Sequence, residues 1–258
     1  MVTASESAPA VVQSVDRAVT VLEILAAHDS VGVSEIATEL GVHRSTAFRL
    51  LGALEARDLV EQVVERGRYR LSVGLLRLAS AVRDRLDVVA IGHSICQALA
   101  DRCGETVNIA VRRGEFALNV DQALAGTALA VRNWIGRPTQ LYATSSGKLL
   151  LAYLPHEQAT QLLGDGPLAR LTAQTLSRTV LLRQLKQIRR DGWAMTFEEL
   201  EPGLNAVAAP VRDDTGDVVA AVTVSGPAFR LAENQLHATL ADLVAAADEI
   251  SAGLGHHN

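Results

Sequence analysis

VSEIATELGVHRSTAFRLLGALEARDLVEQ, residues 33–62, carries the pattern from which the rest of the chain is read. Ile36, Ala37 and Leu40 recur at helical spacing, and Ser34 is placed to cap the short helix they define. Gly41 ends it. A glycine just past a helix accepts the left-handed backbone of a tight turn, and within three residues a second helical pattern opens with Ala47, Leu50, Leu51 and Leu54. Two short helices joined in this way form a helix-turn-helix. Upstream, Val15, Ala18, Val19, Leu22, Leu25 and Ala26 predict a preceding helix capped near Ser14, followed by a loop at residues 28–32.

The second helix of the motif presents two faces. Each residue advances about 100° around the axis, so burying the four apolar positions points Ser45 and Arg49 away from the core. Thr46 and Phe48 flank them, Arg44 lies in the first turn, and Gly52 leaves the outer face bare one turn on. Hydroxyls and arginine on such a face suit a DNA major groove, where arginine can chelate guanine O6 and N7. Taken alone, the same face also reads as an ordinary solvated helix. Downstream, the apolar run around Leu59, Val60, Val63 and Val64 and the segment Tyr69-Arg70-Leu71 flank a glycine turn and predict a β-hairpin. That hairpin is a wing, with Arg66, Arg68 and Arg70 at its tip and along one edge to hold phosphates. Residues 12–86 carry ten arginines against ten acidic residues, so only local arrangement favours DNA. Between Glu39 and Glu55 stand Arg44 and Arg49 with no acidic side chain.

The whole chain has 258 residues, 48 % hydrophobic, with a net charge of -5. This length suits two domains. No apolar run approaches the roughly 20 residues that span a bilayer, and MVTASESAPA lacks the basic start and apolar core of a leader, so a cytoplasmic protein away from membranes is expected. Cys96 and Cys103 fall in one helical pattern about 10 Å apart, too far for a disulfide. The fold expectation is α+β: a mobile tail at 1–12, a winged helix-turn-helix domain at 13–71, a linker helix at 72–87, and a larger domain at 88–254 of antiparallel strands with helices segregated around them. The linker stripe of Leu75, Leu78, Val82 and Leu86 fits intrachain core or a dimer seam equally. In the larger domain, strands are predicted at 107–112, 117–121, 127–131, 193–197, 206–212 and 218–224, and helices at 148–153, 156–163, 178–191 and 232–253.

The most informative chemistry downstream is Thr144-Ser145-Ser146-Gly147-Lys148, opening an apolar helix. The first amides of a helix are unpaired and carry partial positive charge, so this segment can hold an anion such as a carboxylate. Alternatively Ser145 or Ser146 merely caps the helix. Thr223 and Ser225 alternate on one strand and face the same way, as a pocket wall requires.

These segments together resemble the IclR family of regulators. SVDRAVTVLEIL, the 33–62 stretch and RGRYRLSVGLLRLA match its winged domain in order. YATSSGKLLLAYLP and IRRDGWAMTFEELEPGLNAVAAPVRDDTGDVVAAVTVSGPAFR match its effector domain. The resemblance covers the chain from Ser14 to about Gly253. It implies a GAF-like effector domain, operator DNA as partner, dimers that associate into tetramers, and a pocket lined by Leu129, Val131, Ser145, Ser146, Gly147, Thr196, Asn205, Ala206, Thr223 and Ser225. Thr196 and Ala206 stand where relatives carry acidic or cysteine ligands, which implies a different effector. His43 departs from the family's usual Ser, Asn, Asp or Pro at the helix start, and histidine is a poor cap.

Three other readings compete. Ser145 and Lys148 satisfy the S-x-x-K pattern of serine acyl enzymes, with Ser145 as nucleophile and Lys148 as base, but the companion S-D-N and K-T-G segments are absent. Gly147-Lys148 lacks the remainder of a phosphate loop, and the histidines are too scattered for a metal site, so no cofactor is expected. A DNA-binding protein without a ligand is the third alternative, against which the serine-rich loop and the strand hydroxyls weigh.

Overall fold

Apolar residues repeating every three to four positions build the first unit, which the computed structural model describes along with the rest of the chain over residues 12–63, 67–83, 87–125 and 133–257. Its elements are α1 (Gln13–Ala26), β1 (Val31–Gly32), α2 (Val33–Glu39), α3 (Arg44–Glu55), β2 (Val60–Val63), β3 (Arg68–Leu71) and α4 (Gly74–Arg83). Val21, Ile24 and Leu25 of α1 meet Ile36 and Ala37 of α2 and Ala47, Leu51 and Leu54 of α3 in one core. Val31, Val60 and Tyr69 close that core from a three-stranded sheet ordered β1-β3-β2. This is a winged helix-turn-helix. Gly41 sits at φ 62°, and the Val42 amide donates back to the Ala37 carbonyl at 2.9 Å, the hydrogen-bonded reversal that lets α3 leave α2 sharply.

Three local expectations are corrected. Residues 31–32 are a strand rather than loop, because Val31 pairs with Tyr69 and Gly32 with Arg68. That pairing leaves Gly32 extended as the N-cap of α2, so Ser34 lies inside the helix instead of capping it. α1 starts at Gln13 after Val12, and Ser14 does not cap it either. His43, by contrast, is a working cap: its Nδ1 accepts from the Ser45 amide at 3.3 Å and lies 2.8 Å from the Ser45 hydroxyl.

The chain divides into two compact units, 1–84 and 85–258. The second comprises α5 (Asp87–Cys103), β4 (Thr106–Arg113), β5 (Phe116–Ala123), β6 (Pro138–Gln140), α6 (Ser145–Tyr153), α7 (His156–Leu162), α8 (Arg178–Asp191), β7 (Ala194–Phe197), β8 (Leu204–Arg212), β9 (Val218–Pro227) and α9 (Glu233–Gly253). Six antiparallel strands run in the order β6-β5-β4-β9-β8-β7. Alternation decides what each face meets. Val107, Ile109, Val207, Val222 and Val224 pack with α5 and α9, while Ala117, Ala194, Ala208 and Ala221 lie with the residues of α6 and α8. The strand expected at 127–131 lies outside the described residues. Cys96 and Cys103 are free thiols, and burial pushes Cys96 up to about 12.

Candidate ligand pocket and DNA-reading surface

The alanine-bearing face of the six-stranded sheet changes character toward one end. Cross-strand register sets Thr196 opposite Ala206, Ala206 opposite Ser225, and Ser225 opposite Thr106. The next row on the same face joins Ala208, Thr223 and Asn108. Small residues on β7 and β8 thus leave space, and hydroxyls and an amide on β9 and β4 make its floor polar.

The start of α6 lies over this floor. Thr144 is the N-cap, its Oγ1 accepting from the Gly147 amide at 3.1 Å, so neither Ser145 nor Ser146 is needed as a cap. Gly147 is required for close packing: a Cβ there would lie 2.4 Å from the Leu141 carbonyl oxygen and 2.5 Å from the Leu141 Cα. The resulting recess, about 480 Å³ including its open mouth, is lined by Ser145, Ser146, Thr196, Ala206, Thr223 and Ser225. Asn108, Asn119, Thr139, Ala143 and Thr144 add to the wall, with Trp134, Leu200 and Leu204 as its larger apolar members. All these side chains are uncharged. Ser145 Oγ, Thr223 Oγ1 and Asn108 Oδ1 are buried and have no protein partner among the described residues. Leaving such a group unsatisfied costs about 1–3 kcal/mol, so three around one recess mark a surface built to receive polar atoms.

Several expected positions fall elsewhere. Asn205 does not line the recess: it sits in register with Phe197 and Gly226, and its side chain accepts from the Glu198 amide at 3.1 Å and donates to the Leu231 carbonyl at 3.0 Å. Adjacent strand residues face opposite ways, so Ala206 and Asn205 cannot both line one wall. Gly147 packs behind the wall. Leu129 and Val131 lie outside the described residues. Asn108 was missed, although Thr106 and Asn108 alternate within an apolar strand as Thr223 and Ser225 do.

Lys148, read as a possible base, is fully buried, with its Nζ donating to Glu199 Oε2 at 2.5 Å and to Gln184 Oε1 at 2.8 Å. Burial pulls the Lys148 ammonium below its ordinary value and pushes the Glu199 carboxyl up, while each charge holds the other against that shift. The ammonium is therefore committed to α8 and to the loop after β7. That loop carries Leu200 to the recess, and Leu204, which opens β8 just after it, lines the same recess. The loop is clasped by the Thr172 hydroxyl on the Glu198 carbonyl at 2.7 Å and by the Thr175 hydroxyl on the Glu199 carbonyl at 2.9 Å.

On the first unit, Arg44, Ser45 and Arg49 are exposed along α3, Thr46 is half-buried, and Gly52 opens onto free space. Arg68 differs from the free wing cation expected. Its Nε donates to the Ser30 hydroxyl at 3.1 Å, its Nη2 to the Ser30 carbonyl at 2.5 Å, and its Nη1 to Glu35 at 3.1 Å. Arg70 pairs with Glu61 at 2.6 Å. Opposite charges paired across neighbouring strands neutralise each other locally, which a count of arginines does not reveal. Arg66 lies outside the described residues.

A winged helix-turn-helix followed by an α+β domain with a polar recess defines a transcription regulator that pairs a DNA-binding domain with an effector domain. Residues 14–64 match the family model of the IclR helix-turn-helix domain, and residues 80–252 that of the bacterial transcriptional regulator IclR C-terminal domain. The chain belongs to the IclR family. It is 34 % identical over 245 residues to the HTH-type transcriptional repressor AllR of Salmonella paratyphi A, covering 94 % of this chain and 90 % of that protein. The crystal structure of the Thermotoga maritima IclR superposes with a TM-score of 0.80 at 30 % identity, covering 94 % of this chain and 99 % of that one. An IclR homologue from Microbacterium hydrocarbonoxydans, complexed with 4-hydroxybenzoate, shares the fold with a TM-score of 0.81 at 24 % identity, over 93 % and 98 % of the two chains. These relatives are regulators and repressors, which removes the serine acyl-enzyme reading. Among the described residues, no helix is long and apolar enough to cross a membrane.

Proposed function

We propose that this regulator represses transcription from a cytoplasmic operator and that a small carboxylate bound in the recess changes its affinity for DNA. The Ser145 hydroxyl in the first turn of α6, which has no partner among the described residues, carries this reading. With Thr144 as the cap, Ser145 and Ser146 and the opening amides form a donor cluster at the positive end of a helix, where a carboxylate is stabilised. Trp134, Leu200 and Leu204 face the organic part, and Thr196, Thr223 and Ser225 set polar specificity. Leu129 and Val131 belong to the same proposal through the family resemblance. A ligand shifts DNA binding only through unequal affinity for DNA-competent and DNA-incompetent arrangements, typically a coupling of about 1–3 kcal/mol. Trp134 in the wall supplies the readout. Titrating the full chain with pyruvate and with 4-hydroxybenzoate, against pyruvamide and 4-hydroxybenzamide, should change tryptophan fluorescence for an acid and not for its amide. Equal responses to acid and amide would remove the anion site.

At the DNA, Arg49 and Ser45 read base edges in the major groove while Arg44, Thr46 and Arg66 hold phosphates. One helix-turn-helix reads few base pairs, so a second copy of the chain completes the operator-binding surface. Val12 at the N-cap of α1 and Val15 and Val19 within it, 63 %, 61 % and 49 % exposed, form an apolar stripe, and Val73 just before α4 and Leu76 and Leu78 within it are exposed. Burying these surfaces against a second copy accounts for both. Sedimentation at micromolar concentration should show a dimer or tetramer; a monomer with and without operator DNA rules this out.

A further inference from the structure

The exposed face of α3 carries one large apolar side chain. Phe48 is 58 % exposed, while the apolar residues that hold the helix in place, Ala47, Leu51 and Leu54, are buried. It is not held in the core. Positions 45, 48, 49 and 52 are spaced by three and four residues, so Phe48 shares a continuous patch with Ser45, Arg49 and Gly52, and Arg44 lies one turn before it. A Cβ at Gly52 would have no neighbour within 4 Å, which leaves the space beside the ring unobstructed for a partner. A phenylalanine in the middle of a basic, hydroxyl-bearing face offers apolar surface to whatever α3 meets, and contact with an apolar group there removes that surface from water.

In the major groove, among the four bases, thymine alone presents an apolar substituent, the C5-methyl group. We propose that Phe48 is a specificity-determining residue that packs against a thymine methyl in each half-site and selects thymine over cytosine there. This rests on the reading of α3 as the helix that enters the major groove. Arg49 then distinguishes guanine by hydrogen bonds, and Phe48 distinguishes thymine by shape and burial, so the two residues read different bases by different physics. A protein-docking role for the same ring fits less well, because its neighbours Arg44 and Arg49 carry positive charge and no acidic side chain stands between Glu39 and Glu55.

The test starts from a binding sequence selected with the full-length protein from a random duplex pool. Each thymine of that sequence is then replaced singly by deoxyuridine, which removes only the methyl group. For the wild-type protein, one thymine per half-site should show about fourfold weaker binding on this change, the worth of one buried methyl group. Phe48→Ala should bind the parent sequence about fourfold more weakly and lose the response to deoxyuridine at that position, whereas Phe48→Leu should retain part of it. Phe48 lies outside the core, so Phe48→Ala should melt with the wild type; should it not, the Phe48→Leu response decides. Selection of a sequence without any methyl dependence, or persistence of that dependence in Phe48→Ala, overturns the role of Phe48 and leaves DNA reading by α3 standing. Failure to select any sequence overturns both.

Discussion

Ser45 and Ser145 stand at the starts of two helices whose first amides are capped by a neighbouring side chain, yet their surroundings are opposite. Ser45 is exposed beside its cap His43, and Ser145 is 1 % exposed with no partner for its hydroxyl among the described residues. In water an exposed hydroxyl exchanges one partner for another at little cost, so the α3 face is poised for DNA without strain on the domain. A buried hydroxyl has no such exchange. The recess therefore concentrates its chemistry where polar groups are costly, and its architecture has to be held from outside by other contacts. The buried Lys148–Glu199 pair is one of these, since it ties α6 to the loop that brings Leu200 to the wall and leads into Leu204 at the start of β8.

The largest expected effect follows from that pair. Glu199→Ala leaves a fully buried ammonium without its counter-charge and should destabilise the effector unit by about 3–5 kcal/mol, measured by chemical denaturation. Replacing both partners, Lys148→Met with Glu199→Leu, should recover most of that loss, because two apolar groups need no compensation. A loss under 1 kcal/mol for Glu199→Ala would mean that the second unit does not depend on this pair and would erase the contrast with α3. On the exposed side, Arg49→Ala should leave stability unchanged and cost about 1–3 kcal/mol of affinity for the specific site with little change on random DNA. Equal losses on both DNAs would reassign Arg49 to the phosphates.

Long periodic elements were legible from sequence because their periodicity is local. β8 and β9 are near-continuous apolar runs buried on both faces, and α8 and α9 differ from their expected spans by a residue at most. What escaped depends on partners far along the chain. β1 is two residues long and exists through its pairing with Tyr69 and Arg68, and Lys148 meets Glu199 across 51 positions. The same distance hid the engagement of Arg68 with Ser30 and Glu35. For the recess, strand alternation brought Thr223 and Ser225 together correctly, and that rule already forbids placing Asn205 beside Ala206 on one wall. Thr144 as the cap was also within reach, since threonine is a favoured cap one residue before the serines.

Substituting both serines sharpens the comparison further. Ser145→Ala with Ser146→Ala should weaken binding of an acid that registers in the fluorescence titration by about tenfold, roughly 1.4 kcal/mol, with ligand-free DNA affinity unchanged. Stability should hold or rise slightly, because alanine at 145 removes a buried hydroxyl that has no partner among the described residues. Undiminished ligand affinity would place the anion elsewhere.

The smallest effect is expected at Arg68, and it separates a wing that binds DNA from a wing that is held to its own domain. Its guanidinium bonds both the side chain and the carbonyl of Ser30, so removing it loosens the chain just before β1 and frees Glu35 at the start of α2. The ion pair with Glu35 is largely exposed, with side-chain exposures of 41 % and 60 %, and in that setting contributes only about 0.2–1 kcal/mol. Arg68→Ala should therefore lower stability by at most about 1 kcal/mol. DNA affinity should fall little and equally on every sequence, with the salt dependence of binding unchanged. A phosphate contact gives a different signature, a salt slope reduced by roughly one unit. Measuring that slope for Arg68→Ala beside Arg44→Ala distinguishes the two roles, because among the described residues Arg44 has no tether of the kind that holds Arg68 to Ser30 and should show the change that Arg68 lacks.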